Sequence, residues 1–272
     1  MEIEKSDNLY NEKVVVYTAI SGNYDQLSEP EYINYNFDYI CFSDNKKLKS
    51  EYWKIIGFPN CEDDLVMLNR RVKLLPHRYF PEYEYSVYID GNFDIVGDLE
   101  ELINRYLKTN LIAVFAHPER ICIYDEARTC IDHKKGNRDV IKKQMQKYRQ
   151  HGYPEKNGLI AGGIILRKHN YPDVVRLMED WWSEINFHSK RDQLSFNYVS
   201  WKNCLKYGII KGNIFSNSFF RYREHRLSYF EKVWKWANSQ NRYNRPFRPI
   251  VKFIKKIKKT SANISYELLT KR

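Results

Sequence analysis

An α/β sheet flanked by helices, in a single domain with a basic helical C-terminal tail, is the fold class the sequence predicts. Three observations lead there. Short β-branched runs each end in polar residues, amphipathic helical stretches lie between them, and the excess positive charge sits almost entirely after residue 240. A chain of 272 residues suits one sizeable α/β domain with a well-buried core.

Lys13–Ile20 (K-V-V-V-Y-T-A-I) predicts a buried first strand that opens into the Gly-containing loop S-G-N-Y-D. It lacks G-x-G-x-x-G, so a dinucleotide site is not indicated. Asp38–Ser43 predicts a second strand, with Asp44 at its end as a candidate acceptor for a ribose hydroxyl or base, or an ordinary turn residue. Across Asp64–Phe80, helical spacing places Leu65, Leu68, Val72 and Leu75 on one face, and Pro76 ends the helix. Arg70, Arg71 and Lys73 fall within one turn, as solvated cations or as partners of a diphosphate.

Tyr85–Asp94 (Y-S-V-Y-I-D-G-N-F-D) predicts a buried strand that delivers oxygen-bearing side chains to its end. If the strand persists, alternation sends Asp90, Asn92 and Asp94 the same way, while Gly91 leaves room for a turn or a ligand. Asp98–Leu107 predicts a surface helix, and Leu111–Ala116 a buried strand ending in His117-Pro118-Glu119-Arg120. Asp139–Gln150 and Asp173–Ile185 read as helices. Leu159–Arg167 is strand-like, with Gly162 and Gly163 leaving space for a ligand or a crossing backbone, and Ser189–Asn197 is expected to open a further helix.

Polar residues at strand ends are where open α/β sheets place ligands. Asp90 and Asn92 are candidate ligands of a hard cation beside a phosphate, with His225 the best-placed third ligand by position. Asp192 is the carboxylate expected near an anomeric carbon, as base, nucleophile or electrostatic support.

The net charge of +11 invites a nucleic-acid reading, but residues 241–272 hold ten Lys and Arg against Glu267 alone, hence +9 of it. The near-neutral body, residues 1–240, argues against nucleic acid as a partner. In the tail, Ile250, Phe253, Ile254 and Ile257 share one helical face, with Lys252, Lys255, Lys256 and Lys259 around the rest. Such a helix suits an anionic membrane surface, where each lysine contributes about 1 kcal/mol. Met1–Lys13 carries no apolar signal core, and no run approaches a membrane span. Five cysteines without a C-x-x-C pair fit reduced thiols. The expectation is a cytoplasmic protein bound peripherally to the membrane.

Several ordered blocks carry a family resemblance. V-V-Y-T-A-I-S-G-N-Y-D, R-R-V-K-L-L-P-H-R-Y-F-P-E-Y-E-Y-S-V-Y-I-D-G-N, F-A-H-P-E-R-I-C-I-Y-D-E-A, G-L-I-A-G-G-I-I-L-R and R-D-Q-L-S-F span about residues 14–202. Together they resemble the bacterial and plant glycosyltransferase-like family, formerly a domain of unknown function, that includes the plant turgor and seed-mucilage proteins. That resemblance implies a GT-A-like fold, distantly related to the glycogenin-like retaining transferases. It places Asp90-Gly91-Asn92 where D-x-D would bind manganese and the nucleotide diphosphate. It places Asp192-Gln193 at the D-Q of the donor site, and Thr18, Ala19 and Asp44 at the nucleotide pocket. His117, Arg120 and Glu126 belong to a block special to the family and are expected to contact sugar or acceptor. Asn92 departs from the pattern: its neutral carbonyl is a weaker ligand than a carboxylate, so Mn2+- or Mg2+-dependent and metal-free chemistry both stay open.

The expected activity is transfer of a sugar from a nucleotide-sugar, UDP-linked, to a surface polysaccharide or lipid-linked oligosaccharide. Two other classes stand beside it: a metal-dependent hydrolase using the same acidic cluster, and a non-catalytic nucleic-acid-binding protein.

Overall fold

The computed structural model describes residues 12–22, 24–59 and 64–224. His225 and the basic tail, residues 241–272, lie outside the described residues.

The first strand, β1 (Val14–Ile20), is buried along its whole length, as its unbroken β-branched run requires. It pairs in parallel with β2 (Phe37–Ser43) on one side and β4 (Tyr85–Ile89) on the other. The short β3 (Lys54–Ile56) continues the parallel set beyond β2. On the far side, β7 (Ile160–Arg167) runs antiparallel between β4 and β6 (Ile112–Ala116), and β8 (Gly208–Ile210) pairs in parallel with β6. The seven-stranded order is β3-β2-β1-β4-β7-β6-β8. A two-stranded ribbon joins β5 (Phe93–Ile95) to β9 (Phe220–Tyr222).

This topology gathers one functional edge. The C-terminal ends of β1, β2, β4 and β6 lie there together, and the reversed β7 brings its first residues to meet them. The register between β6 and β7 jumps at that place: Val114 pairs with Ile165, but Phe115 pairs with Ala161. Gly162 and Gly163 therefore sit in a bulge at the edge, the kind of irregularity that re-aims side chains beside active sites.

Both faces of the sheet are covered. One core contains Tyr17, Tyr88, Leu74 and Trp181, and the other contains Val16, Val87, Leu102 and Phe220. The helices are α1 (Leu65–Leu74), α2 (Leu99–Leu107), α3 (Ile123–Asp132), α4 (Arg138–Gln150), α5 (Pro172–Phe187) and α6 (Phe196–Lys202). The Asp64 carboxylate caps α1 by accepting from the Met67 N–H at 2.9 Å, and the helix stops ahead of Pro76 as expected. Asp98 and Asn137 cap α2 and α4 in the same way. A mixed α/β sheet flanked by helices is thus the observed fold.

Three expectations need correction. The strand through Tyr85–Asp94 does not persist: β4 ends at Ile89, the chain turns at Gly91-Asn92, and Asp94 enters the separate ribbon. A Cβ at Gly91 would lie 2.7 Å from Ile20 Cγ1, so the turn packs against β1 too closely for a side chain. Along α1 and its cap, Val72 and Leu75 are buried as the spacing predicts, but Leu65 is 44% exposed and Leu68 half-buried, while Met67, Lys73 and Leu74 join the buried face. Ser189–Asn197 opens its helix only at its end. Asp192–Leu194 forms a 3-10 turn, and α6 begins after it, at Phe196.

Candidate functional site

The i, i+3 spacing of Arg70 and Lys73 puts both on one face of α1, near its C-terminal end, and that face meets the sheet edge. Lys73 Nζ lies 2.7 Å from Asp192 Oδ2 and 3.4 Å from Asp90 Oδ1, on a side chain only 1% exposed. Arg70 Nη1 approaches Asp192 Oδ2 at 3.3 Å. The Tyr88 ring lies 5.0 Å from the Lys73 ammonium, and the Tyr88 hydroxyl donates to Asp90 Oδ1 at 2.8 Å. A buried ammonium thus joins the ends of β4 and the 3-10 turn.

Asp192 is fixed from several sides. Trp181 Nε1 donates to its carbonyl at 3.0 Å, and the Gln193 N–H donates to Asp192 Oδ1 at 3.1 Å. Burial alone pushes this carboxyl up, but Arg70, Lys73 and Arg191 outweigh it and hold the group well below the usual carboxylate range. It is therefore ionised at neutral pH. Burial, with the charge of Asp90, also raises the Tyr88 phenol, which stays a hydrogen-bond donor. The bulge leaves the floor beneath these groups low. A Cβ at Gly162 would stand 3.4 Å from Asp192 Oδ2 and 3.6 Å from Lys73 Nζ, and one at Gly163 3.3 Å from Asp90 Oδ2.

A second cluster lies beside it, at the end of β6. Arg120 Nε donates to Glu126 Oε2 at 2.7 Å, His117 Nε2 is 3.9 Å from the same oxygen, and Cys130 Sγ donates to Glu126 Oε1 at 3.3 Å. His117 Nδ1 accepts from the backbone N–H groups of Glu119 and Arg120, and Arg120 Nη2 lies 3.2 Å from its Nε2, so the arginine brackets the ring from both sides. Burial and then Arg120 push the His117 pKa down, and burial pushes the Cys130 thiol up to about 11. Arg191 links the two clusters. It hydrogen-bonds Cys130, reaches Gln193 Oε1 at 3.5 Å and lowers the Asp192 pKa.

The structure therefore brings together Asp90, Asp192, Gln193, Arg70, Lys73, Gly162 and Gly163, with His117, Arg120 and Glu126 alongside. The remaining candidates stand elsewhere. Arg71 turns to the Trp182 ring, 5.9 Å away. Thr18 and Ala19 are buried on β1, and Thr18 Oγ1 has no hydrogen-bond partner among the described residues. Asp44 accepts from the Gly22 N–H at 3.0 and 3.1 Å, so it shapes the loop after β1. The Asn92 side chain hydrogen-bonds Tyr222, and His225 lies outside the described residues. Tyr88, Trp181, Arg191 and Cys130 were not singled out from sequence. Only Tyr88 carried a signal, since it stands two residues before Asp90 on a strand.

Among the described residues no group of three His, Cys, Asp or Glu is arranged to hold a metal ion. Asp90 already receives Lys73 and Tyr88, and the Asn92 amide is engaged with Tyr222. The described residues do not by themselves fit a divalent-ion shell.

The TOD1/MUCI70, glycosyltransferase-like domain model matches residues 1–226. Among curated proteins, the chain is 27% identical over 223 residues to the "Probable hexosyltransferase MUCI70" of Arabidopsis thaliana, covering 71% of this chain and 38% of that protein. It is 25% identical over 236 residues to the "Alkaline ceramidase TOD1" of the same plant, covering 72% and 50%. The chain thus spans half the length or less of these two relatives. Similar solved structures include the apo WbbM bifunctional glycosyltransferase (12% identity, TM-score 0.44, 75% of this chain and 39% of that one). Apo mouse xyloside xylosyltransferase 1 is similar to the same degree (10%, 0.44, 73% and 85%). The family model covers all the described residues, and the chain belongs to the TOD1/MUCI70 glycosyltransferase-like domain family.

Proposed function

We propose that the chain is a glycosyltransferase that moves a sugar from a UDP-linked donor to a surface polysaccharide or lipid-linked oligosaccharide. The observation that carries this reading is the Lys73 ammonium held between Asp90 and Asp192 at the bulged sheet edge, in a chain of this family. Breaking the bond between sugar and diphosphate leaves negative charge on the nucleotide and positive charge on the sugar. Arg70 and Lys73 are fixed donors for the first, pre-oriented in a site largely closed to water. Asp192, ionised and unable to give a proton, supports the second. Its Oδ2 is engaged by two cations and its Oδ1 by the Gln193 N–H, which favours electrostatic support over nucleophilic attack. Glycines at 162 and 163 let the β7 backbone run close beneath these carboxylates, and His117, Arg120 and Glu126 are the groups assigned here to the acceptor.

The test is UDP release from a panel of UDP-sugars, with and without Mn2+ in EDTA-treated protein. Slow UDP release that disappears in Asp192→Asn is expected. The donor reading fails if UDP gives no thermal stabilisation and Asp90→Ala behaves like the unmodified chain. The Mn2+ arm decides whether a divalent ion takes part.

A second reading is a hydrolase acting on a lipid amide, favoured by the relative named as an alkaline ceramidase. Turnover of a fluorescent ceramide without nucleotide would select it. The tail adds a membrane component to the proposal, with the protein on the cytoplasmic face; among the described residues no helix is long and apolar enough to cross a bilayer. Sedimentation with anionic vesicles, lost on changing Lys255, Lys256 and Lys259 to Glu, checks it.

A further inference from the structure

Lys73 lies in the last turn of α1, where helical carbonyls have no intrahelical donor. The residue four positions on is His77, beyond Pro76 in a 3-10 turn, so the Lys73 carbonyl must be satisfied from outside the helix. Two buried side chains do so. The Tyr17 hydroxyl donates to it at 3.0 Å and Arg167 Nη1 at 2.9 Å. Arg167 Nη2 also donates to the Tyr17 hydroxyl, closing a triangle. Tyr17 is on β1 and Arg167 on β7, with β4 between them, so the triangle ties the end of α1 to the two strands that flank β4.

Arg167 is fully buried, and among the described residues no carboxylate pairs with it. A buried cation without a counter-ion is costly and is retained where something opposes the cost. Here it faces the negative end of the α1 dipole and the carbonyl of the residue whose ammonium reaches the site. Burial pushes the Tyr17 phenol up to about 12 despite the neighbouring guanidinium, so it keeps the proton it donates to Lys73.

We propose that Arg167, acting with Tyr17, is a positioning residue of the site: it caps α1 at the Lys73 carbonyl and so sets the Lys73 ammonium between Asp90 and Asp192. Its catalytic consequence rests on the donor-site reading above.

The experiment uses the full chain labelled with 15N-lysine, with the Lys73 ammonium resonance identified by its loss in Lys73→Met. Tyr17→Phe removes one hydroxyl and keeps the ring; Arg167→Met removes the charge. Both are expected to shift or broaden the Lys73 resonance. Tyr17→Phe is expected to lower kcat for UDP release about tenfold with KM little changed, and to add less than twofold in the Lys73→Met background. An unmoved Lys73 resonance with a lowered Tm, or a full tenfold loss on top of Lys73→Met, would overturn the proposal. If Arg167→Met does not fold, Tyr17→Phe carries the test. If the unmodified chain releases no UDP, the donor reading fails while the resonance still decides the positioning.

Discussion

Asp90 and Asp94 lie four residues apart in one stretch of sequence, and the structure gives them opposite surroundings. Asp90 follows β4 at the sheet edge, shares the Lys73 ammonium with Asp192, and keeps 34% of its side chain exposed. Asp94 is buried in the ribbon, clamped by Arg223 Nε at 2.6 Å and Arg221 Nη2 at 3.2 Å. Arg223 also donates to the carbonyls of Gly91 and Gln26, so the Asp94 pair locks the turn that follows Asp90. Two carboxylates of one motif have thus been divided between roles: one is left open at an edge, and the other holds the loop that presents it.

The largest expected effect falls on the partner that Asp90 shares. Asp192→Asn removes an ionised, buried carboxylate, and UDP release should fall about 10³-fold. Asp90→Asn comes next, with a fall of about 10²-fold but a stability change under about 1 kcal/mol, because the group is part-exposed. Asp94→Asn should reverse that pattern. It leaves two arginines without their shared carboxylate, so the denaturant midpoint should drop by the equivalent of about 2 kcal/mol, with UDP affinity within about twofold. Equal losses of binding in both variants would break the division.

Acid titration sharpens the same contrast. Asp192 has a folded pKa below its ordinary value near 3.8, so the folded chain binds fewer protons than the unfolded one as pH falls. Its contribution is complete above that ordinary range and is lost progressively as pH drops through it towards the lower folded value. Unfolding curves at pH 7 and pH 3 should show less acid sensitivity in Asp192→Asn than in the unmodified chain. The smallest effect is expected from Gly162→Ala. The new methyl meets Asp192 Oδ2 at ordinary contact distance, so Tm should hold while UDP-sugar KM rises a fewfold.

Much of this layout was legible in the sequence, for physical reasons. Buried strands announce themselves by β-branched runs, and Val14–Ile20, Tyr85–Ile89 and Ile112–Ala116 fall where the runs placed them. The short strands β3, β5, β8 and β9 have three residues each, too few for a period to show. The ends of strands drew attention to Asp90 and His117, and the D-Q resemblance to Asp192. What could not be read was direction. Alternation put Asp94 beside Asp90, but a turn at Gly91 redirected it, and a turn depends on how closely Ile20 approaches. Arg70, Arg71 and Lys73 looked equivalent as a run of cations, and only the rotation of α1 against the sheet separates Lys73, buried, from Arg71 at Trp182. Arg167 and Tyr17 gave no signal, since an arginine at the end of a strand is ordinarily a solvated one.

The most direct measurement is calorimetric titration of UDP into four proteins: the unmodified chain, Lys73→Met, Asp90→Asn and Asp94→Asn. Binding to the unmodified chain, a loss of at least tenfold in Lys73→Met, a smaller loss in Asp90→Asn and an unchanged affinity in Asp94→Asn are the results expected of a donor site built on Lys73. Affinity that is unaltered by Lys73→Met in a folded protein, or that falls as far in Asp94→Asn, would contradict it.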